Sequence, residues 1–336
     1  MTKLVLVLAA LLTGCAPLTA PLPLAPAAPV LDADFPDPAV IKAPDGFYYA
    51  YATQSEVGGK WVNLQVARSP DLLRWEHLGD ALPAKPSWAS KTQDFWAPHV
   101  ERHGDTYYLY YSAKPDAALT DKKRGLCLAV ATAGSPLGPF VDIGKPLQCG
   151  DGFVNIDPMA YDDPATGKRL LYWGSGFQPI KVQELAPDRI SFAPSSAPAD
   201  LIPVVKSEDV NEYRRLIEGA WVVRRGDYYY MFYSGDNCCG PKAHYAVLVA
   251  RSRSATGPFE EPKDRPAVIL ERYGKWLAPG HNAVATDANG RDWIVYHAVD
   301  ITRPRTKPSD DINTRRVMLV APLVWEDGWP RVVLPR

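Results

Sequence analysis

The chain has 336 residues, 46% of them hydrophobic and 22% charged, with a formal net charge of −1. That is enough chain for one or two buried cores, and so even a charge balance gives no electrostatic reason to expect nucleic acid or an anionic membrane surface as a partner. The 17 Tyr and 10 Trp fit strand packing first and sugar-facing surfaces second, because each ring joins an apolar body to a polar edge.

At the start, Lys3 precedes an apolar run from Leu4 to Leu12 that ends in Leu12-Thr13-Gly14-Cys15. A charged first residue, a short apolar stretch and small residues before a break read as a signal peptide, too short for a membrane span. The ending resembles the bacterial lipoprotein box. This implies a leader over residues 1–15, cleavage before Cys15 and lipid on its thiol, hence an exported protein of the bacterial cell envelope whose only membrane contact is that anchor. Residues 16–30 (from APLTAPLPLAPAAP) form a Pro/Ala-rich linker of the extended, semi-rigid kind, and 31–336 form a single domain. Export puts Cys127, Cys149, Cys238 and Cys239 in an oxidising compartment, where three pairings are open. The expected set is Cys127–Cys149 with a vicinal Cys238–Cys239 link. No His lies at zinc-ligand spacing from the adjacent pair.

Along the domain, five segments look alike: GFYYAYAT from Gly46, GDTYYLYYSA from Gly104, GKRLLYWGS from Gly167, GDYYYMFYSG from Gly226 and GRDWIVYHA from Gly290. Each is a turn glycine followed by an aromatic, strand-like run, and their starts fall 58 to 64 residues apart. The stretches LAVATAGSPLGPF and VLVARSRSATGPF echo each other as well. A period near 60 repeated five times is an array signature, and no amphipathic helix interrupts it. Short strands and turns repeated radially predict an all-β, five-bladed β-propeller.

Seven to ten residues before each turn glycine stands a tetrad: Asp37-Pro38-Ala39-Val40, Ala97-Pro98-His99-Val100, Asp157-Pro158-Met159-Ala160, Glu218-Gly219-Ala220-Trp221 and His281-Asn282-Ala283-Val284. If each tetrad begins the innermost strand of a blade, its first residue meets the others at one end of the central axis. Two aspartates, a glutamate and a histidine among those leaders form a candidate site. Asp-Pro is on its own a common turn initiator; three carboxylates at equivalent repeat positions are not explained that way. Two carboxyl groups flanking a bond are the equipment of glycoside hydrolysis, and the acid partner must keep its proton at neutral pH. Glu218, between Ile217 and Ala220-Trp221-Val222-Val223, has the apolar neighbours that raise a carboxyl pKa.

These stretches, with FWAPHV, IEGAWVV, APGHNAV and RVMLVAPLVWEDGWP, resemble glycoside hydrolase family 43 from about Asp34 to Trp329. The resemblance implies a five-bladed propeller enzyme that hydrolyses glycosidic bonds with inversion. It implies Asp37 as general base, Glu218 as general acid and Asp157 as the residue that raises the acid's pKa. It further implies His281 near a bound cation, often calcium, with no cofactor required for the chemistry, and substrate contacts from Trp96 and Arg316; Asn155 and Phe177 are further candidates for substrate binding. Most members carry Asp or Glu where His99 stands, which leaves the contacts of that blade open. The expected substrate is an arabinose-containing plant oligo- or polysaccharide, cut in the manner of an α-L-arabinofuranosidase or an endo-1,5-α-L-arabinanase. The alternatives are a β-xylosidase or other furanosidase on the same site, and a glycan-binding propeller without catalysis. Trp61, Trp88 and Trp276 are further candidates for the groove, with ordinary blade packing the preferred reading for Trp61 and Trp88.

Overall fold

Each Tyr-rich run becomes the second strand of an antiparallel sheet, and five such sheets follow one another along the chain. The computed structural model describes residues 24–305 and 314–335. The expected leader, with its lipid site at Cys15, lies outside the described residues. Blade I is built from Ala39–Lys42, Tyr48–Ala52, Gln65–Ser69 and Glu76–Asp80. Blade II has Phe95–His103, Thr106–Ala113, Cys127–Ala133 and Val141–Asp142, with Gln148–Cys149 added beside the third strand. Blade III has Met159–Asp162, Arg169–Trp173, Ile180–Glu184 and Ala199–Ile202. Blade IV has Ile217–Arg225, Tyr228–Asn237, His244–Ser252 and Val268–Leu270, and blade V has Trp276–Thr286, Asp292–Asp300, Arg316–Glu326 and Trp329–Val332. The only helical elements among the described residues are three short 3-10 turns. The five-bladed propeller expected from the repeat is what forms.

The packing explains the composition. A second strand lies between neighbouring blades and is covered on both faces, so all five residues of Tyr48–Ala52 are buried. A strand buried on both sides reads as a continuous apolar run instead of an alternating one. Tyrosine serves there because its ring fills the space between sheets while its hydroxyl reaches a backbone carbonyl of the next blade. Tyr51 donates to Pro136 O, Tyr110 to Arg189 O, Tyr172 to Ala255 O and Tyr230 to Gly328 O. Tyr48 completes the circuit by donating to Thr286 O. Each such bond contributes about 1 kcal/mol net.

The ring closes through the segment before blade I. Val30 N donates to Met318 O at 3.0 Å and Phe35 N to Arg316 O at 2.8 Å, while Leu31 bridges Met318. Ala25 is already buried in the main core. This closure sets the first residues of blade I against the third strand of blade V, which brings Asp37 beside Arg316. Both expected disulfides form, Cys127–Cys149 on blade II and Cys238–Cys239 at the end of the second strand of blade IV.

Candidate active site

Five residues, 60 to 62 positions apart, share a left-handed backbone at the inner strands: Asp37 (φ 58°), Ala97 (45°), Asp157 (60°), Gly219 (62°) and His281 (45°). In blades II, IV and V this residue falls at a break in the strand register. Such a bulge re-aims a side chain, and in blade V it brings His281 beside Asp37 and Asp157. The backbone N–H of the kinked residue is satisfied by the preceding blade: Ala97 N donates to Thr53 Oγ1, Asp157 N to Ser112 Oγ, His281 N to Ser234 Oγ and Asp37 N to His297 Nδ1.

Blade IV departs from this pattern, and the departure corrects the sequence reading. Glu218 does not occupy the repeat position of the two aspartates; Gly219 does. Glu218 sits one residue earlier and pairs with Ser234 as Trp96 pairs with Ser112 and Gly280 with His297. The glycine is needed because a Cβ at position 219 would lie 3.2 Å from His281 Nδ1, on a left-handed backbone. Its N–H donates to Asp157 Oδ2 at 3.1 Å. That frees Ser175, the counterpart of Ser112 and Ser234, to donate to Glu218 Oε2 at 2.5 Å.

Asp37 is buried and surrounded by donors. Thr53 Oγ1 donates to its Oδ2 at 2.5 Å and Arg316 Nη1 to its Oδ1 at 2.9 Å. Burial alone would raise its pKa, but the Arg316 guanidinium, His281 and the hydrogen-bonding neighbours together hold it well below the ordinary aspartate value. His297, fully buried, has its pKa lowered to about 4 by burial and is neutral. Its Nδ1 accepts the Asp37 N–H, so the 3.2 Å approach of that nitrogen to Asp37 Oδ1 is a contact and not a second hydrogen bond.

Asp157 and Glu218 behave in the opposite way. Burial raises both; for Asp157 the charges of Glu218 and Asp37 add to it, and for Glu218 the charge of Asp37 does. Glu218 Oε1 also accepts the Tyr245 hydroxyl at 2.8 Å. Arg316 is the one cation whose charge reaches all three carboxyls, and it is bonded to Asp37. The physical result is one ionised carboxylate facing two carboxyls that retain a proton between them.

His281 lies between the aspartates, its Nδ1 3.5 Å from Asp37 Oδ1 and 3.6 Å from Asp157 Oδ2. Burial lowers its pKa, against the upward pull of the Asp37 charge. The residues present do not form a calcium cage by themselves. Calcium takes six to eight oxygens, yet no group of three or more His, Cys, Asp or Glu side chains is placed to hold a metal among the described residues. The aspartates beside His281 are already engaged by Arg316 and Gly219 N.

The other sequence-selected residues fall at different depths. Trp96, half-buried, immediately precedes Ala97 at the axis. Asn155 is buried, and its Oδ1 accepts the Trp173 indole at 3.1 Å. Phe177 is exposed beside Phe153. Trp61 is exposed on the hairpin Ser55–Val57/Lys60–Val62, two residues beyond Thr53, so blade packing is the wrong reading for it. Trp88 does pack between blades I and II and donates to Asp142, and Trp276 is buried. His99 is buried against Trp221, accepts Ala160 N, and has its pKa lowered to about 3 by burial. It is a neutral structural histidine tied to the inner strand of blade III and packed on Trp221 of blade IV.

Sequence reading missed Thr53, Ser112, Ser175, Ser234, His297 and Tyr245. The signal for the first five was present: each polar residue ends a Tyr-rich repeat segment, in YAT, YYS, WGS, FYS and VYH. A polar residue recurring at the buried end of a strand must have a buried partner. Tyr245 carried no such mark among the other aromatics.

A propeller axis that gathers an ionised aspartate and a proton-retaining carboxyl pair is the equipment of a glycoside hydrolase. A family model described as "Glycosyl hydrolases family 43" matches residues 26–330, and the chain belongs to that family. It is 29% identical over 282 residues to the probable arabinan endo-1,5-alpha-L-arabinosidase A of Aspergillus flavus, covering 79% of this chain and 82% of that one. To the extracellular exo-alpha-(1->5)-L-arabinofuranosidase ArbA of Cellvibrio japonicus it is 26% identical over 291 residues, covering 80% of each. A crystal structure of a thermostable family-43 glycoside hydrolase, 28% identical, superposes with a TM-score of 0.70 over 90% of this chain and 94% of that one.

Proposed function

We propose that the protein hydrolyses α-L-arabinofuranosyl linkages of arabinan-type saccharides by a single inverting displacement. Asp37 acts as general base, Glu218 as general acid, and Asp157 keeps the acid protonated. The observation that carries this reading is the opposed electrostatics of one pocket: Arg316 and Thr53 hold Asp37 ionised, while Asp157 and Glu218 retain a proton. Of the coupled pair, Glu218 is the better proton holder for catalysis. The Ser175 hydroxyl can rotate to accept from a protonated Glu218 Oε2, whereas the Gly219 N–H on Asp157 can only donate.

In the step itself, a water oxygen bonds to the anomeric carbon as the bond from that carbon to the leaving oxygen breaks. The water proton goes to Asp37 and the Glu218 proton to the leaving oxygen, which balances charge without a covalent intermediate. Arg316, Trp96 and Phe177 are assigned to substrate, with the exposed Trp61 as a further aromatic wall. Asn155 supports the Asp157 segment through Trp173. A cation beside His281 would draw its remaining ligands from water or sugar oxygens, and no step is assigned to it. Two similarities support the arabinofuranosyl specificity, one to an arabinan endo-acting protein and one to an exo-acting one.

We place the protein outside the cytoplasm, tethered by lipid on Cys15. The Leu12-Thr13-Gly14-Cys15 ending and the two disulfides support this; metabolic labelling with a radioactive fatty acid, lost in Cys15→Ser, tests it. The direct test of function is product analysis on debranched arabinan with the wild type and Glu218→Gln. Arabinose or short arabino-oligosaccharides from the wild type alone are expected. Release by neither protein, or by both equally, contradicts the assignment.

A further inference from the structure

The vicinal disulfide has no part in the chemistry above, yet its position is specific. The second strand of blade IV runs beside the strand carrying Glu218, with Glu218 opposite Ser234, and continues past it to Asp236 and Asn237. The chain then turns through Cys238 and Cys239 and returns to Tyr245, whose hydroxyl holds Glu218 Oε1. At its tip, Gly240 N donates to Thr314 Oγ1 at 2.8 Å, two residues from Arg316. The loop therefore crosses from the acid to the strand that supplies the arginine on Asp37.

Its base is fixed from several sides. Asp236, buried and on a left-handed backbone (φ 68°), accepts from Arg215 at 3.1 Å and contacts His244 Nδ1 at 2.6 Å, and Tyr213 stacks on His244 with centroids 4.3 Å apart. Residues 237–240 themselves are half-buried. A short loop pinned at base and tip, and cross-linked within itself, presents a surface with little conformational freedom left to lose.

We infer that the Cys238–Cys239 loop is a specificity element, forming the wall against which the sugar on the leaving-group side of the cleaved bond packs. This rests on the assignment of Glu218 as the acid, because the acid stands on the side of the leaving oxygen and the loop joins the two strands whose Ser234 and Tyr245 meet Glu218. A paired-sulfur surface is polarizable and weakly polar, which suits the C–H face of a pentofuranose more than a charged or strongly hydrated group.

The test compares two substrates in the full chain. Linear arabinotriose places a sugar beyond the acid; α-L-arabinofuranosyl azide places only a small linear leaving group there. In Cys238→Ser/Cys239→Ser, kcat/KM for arabinotriose is expected to fall about tenfold, chiefly through KM, as for loss of one apolar contact, with the azide unchanged within about twofold. Equal losses on both substrates, or no loss on either, overturn the inference. Thr314→Val keeps the disulfide and releases the tip, so it decides the matter if the double variant does not fold. A fall of about threefold on arabinotriose alone supports the wall; no change overturns it. A wild type inert toward both substrates removes the parent assignment and this one with it, whereas a Glu218→Gln control that loses arabinotriose turnover but keeps the azide, whose departure needs no proton, keeps the parent assignment intact.

Discussion

The Tyr245 hydroxyl, on the third strand of blade IV, donates to Glu218 Oε1 over 2.8 Å, reaching past the second strand to the first, which carries the glutamate. This bond stabilises the charged carboxylate and lowers the Glu218 pKa against the upward pull of burial. Removing it in Tyr245→Phe should move the alkaline limb of the kcat/KM profile to higher pH. It should also lower kcat by about tenfold, because a freed carboxyl spends less time aimed at the leaving oxygen. A pH–rate profile from pH 3 to 9 checks both; an unmoved limb would show that the phenol does not act on the acid.

Asp157 acts through charge. Its proximity and that of Asp37 favour the protonated form of the coupled pair. In Asp157→Asn one negative charge is gone, the Glu218 pKa falls, and the acid is lost at lower pH, so the alkaline limb should move down. The acidic limb belongs to Asp37, held below the ordinary aspartate value of about 3.9 by Arg316 and its other partners, and it should not move. The opposite shifts expected for Tyr245→Phe and Asp157→Asn distinguish a tuned acid from general damage to the pocket.

The raised carboxyls also predict a trade between stability and activity. A buried Glu whose folded pKa lies above its unfolded one supports folding at low pH. It destabilises increasingly as pH rises through the folded value. Glu218→Gln should therefore raise Tm at pH 7, by an increment that vanishes below about pH 4, while kcat falls by about a hundredfold or more. Asp37→Asn should do the reverse for stability: the Arg316 guanidinium, only 14% exposed at its side chain, loses its charged partner, at about 3 kcal/mol. Calorimetry at pH 4 and pH 7 reads both signs.

Gly219→Ala is the smallest change expected to disable the site. The new methyl group would sit 3.2 Å from His281 Nδ1 on a backbone with φ +62°, at about 1–2 kcal/mol for the left-handed conformation. Any relaxation also displaces the N–H that Asp157 accepts. Activity should drop by about a hundredfold with only a few degrees lost from Tm. Wild-type kinetics in this variant would show that the Gly219–Asp157 link does not position the pair.

Much of this architecture is legible in the chain. The five Tyr-rich segments reveal the blades because a strand buried on both faces must repeat its composition, and Asp37, Asp157 and His281 stand out as polar residues at an otherwise structural position. The one-residue error at Glu218 has a physical origin: a bulge consumes a residue without changing the spacing of the flanking strands, so spacing alone cannot distinguish Glu218 from Gly219. The hydroxyl ring of Thr53, Ser112, Ser175 and Ser234 was visible as a recurring letter but not as a function, since the partners of Thr53, Ser112 and Ser234 include backbone N–H groups of the neighbouring blade and that of Ser175 is the Glu218 carboxyl. Trp61 escaped for a different reason. Whether an aromatic packs or projects depends on the inserted hairpin that carries it, and no repeat position records that.

The most direct measurement is proton NMR of the first-formed sugar during hydrolysis of an α-linked arabino-oligosaccharide, before mutarotation sets in. Water delivered by Asp37 from the side opposite the oxygen protonated by Glu218 must give the β-anomer first, with the α-anomer growing in later. Initial appearance of the α-anomer would require a covalent intermediate, and would contradict a site in which Asp37 activates water.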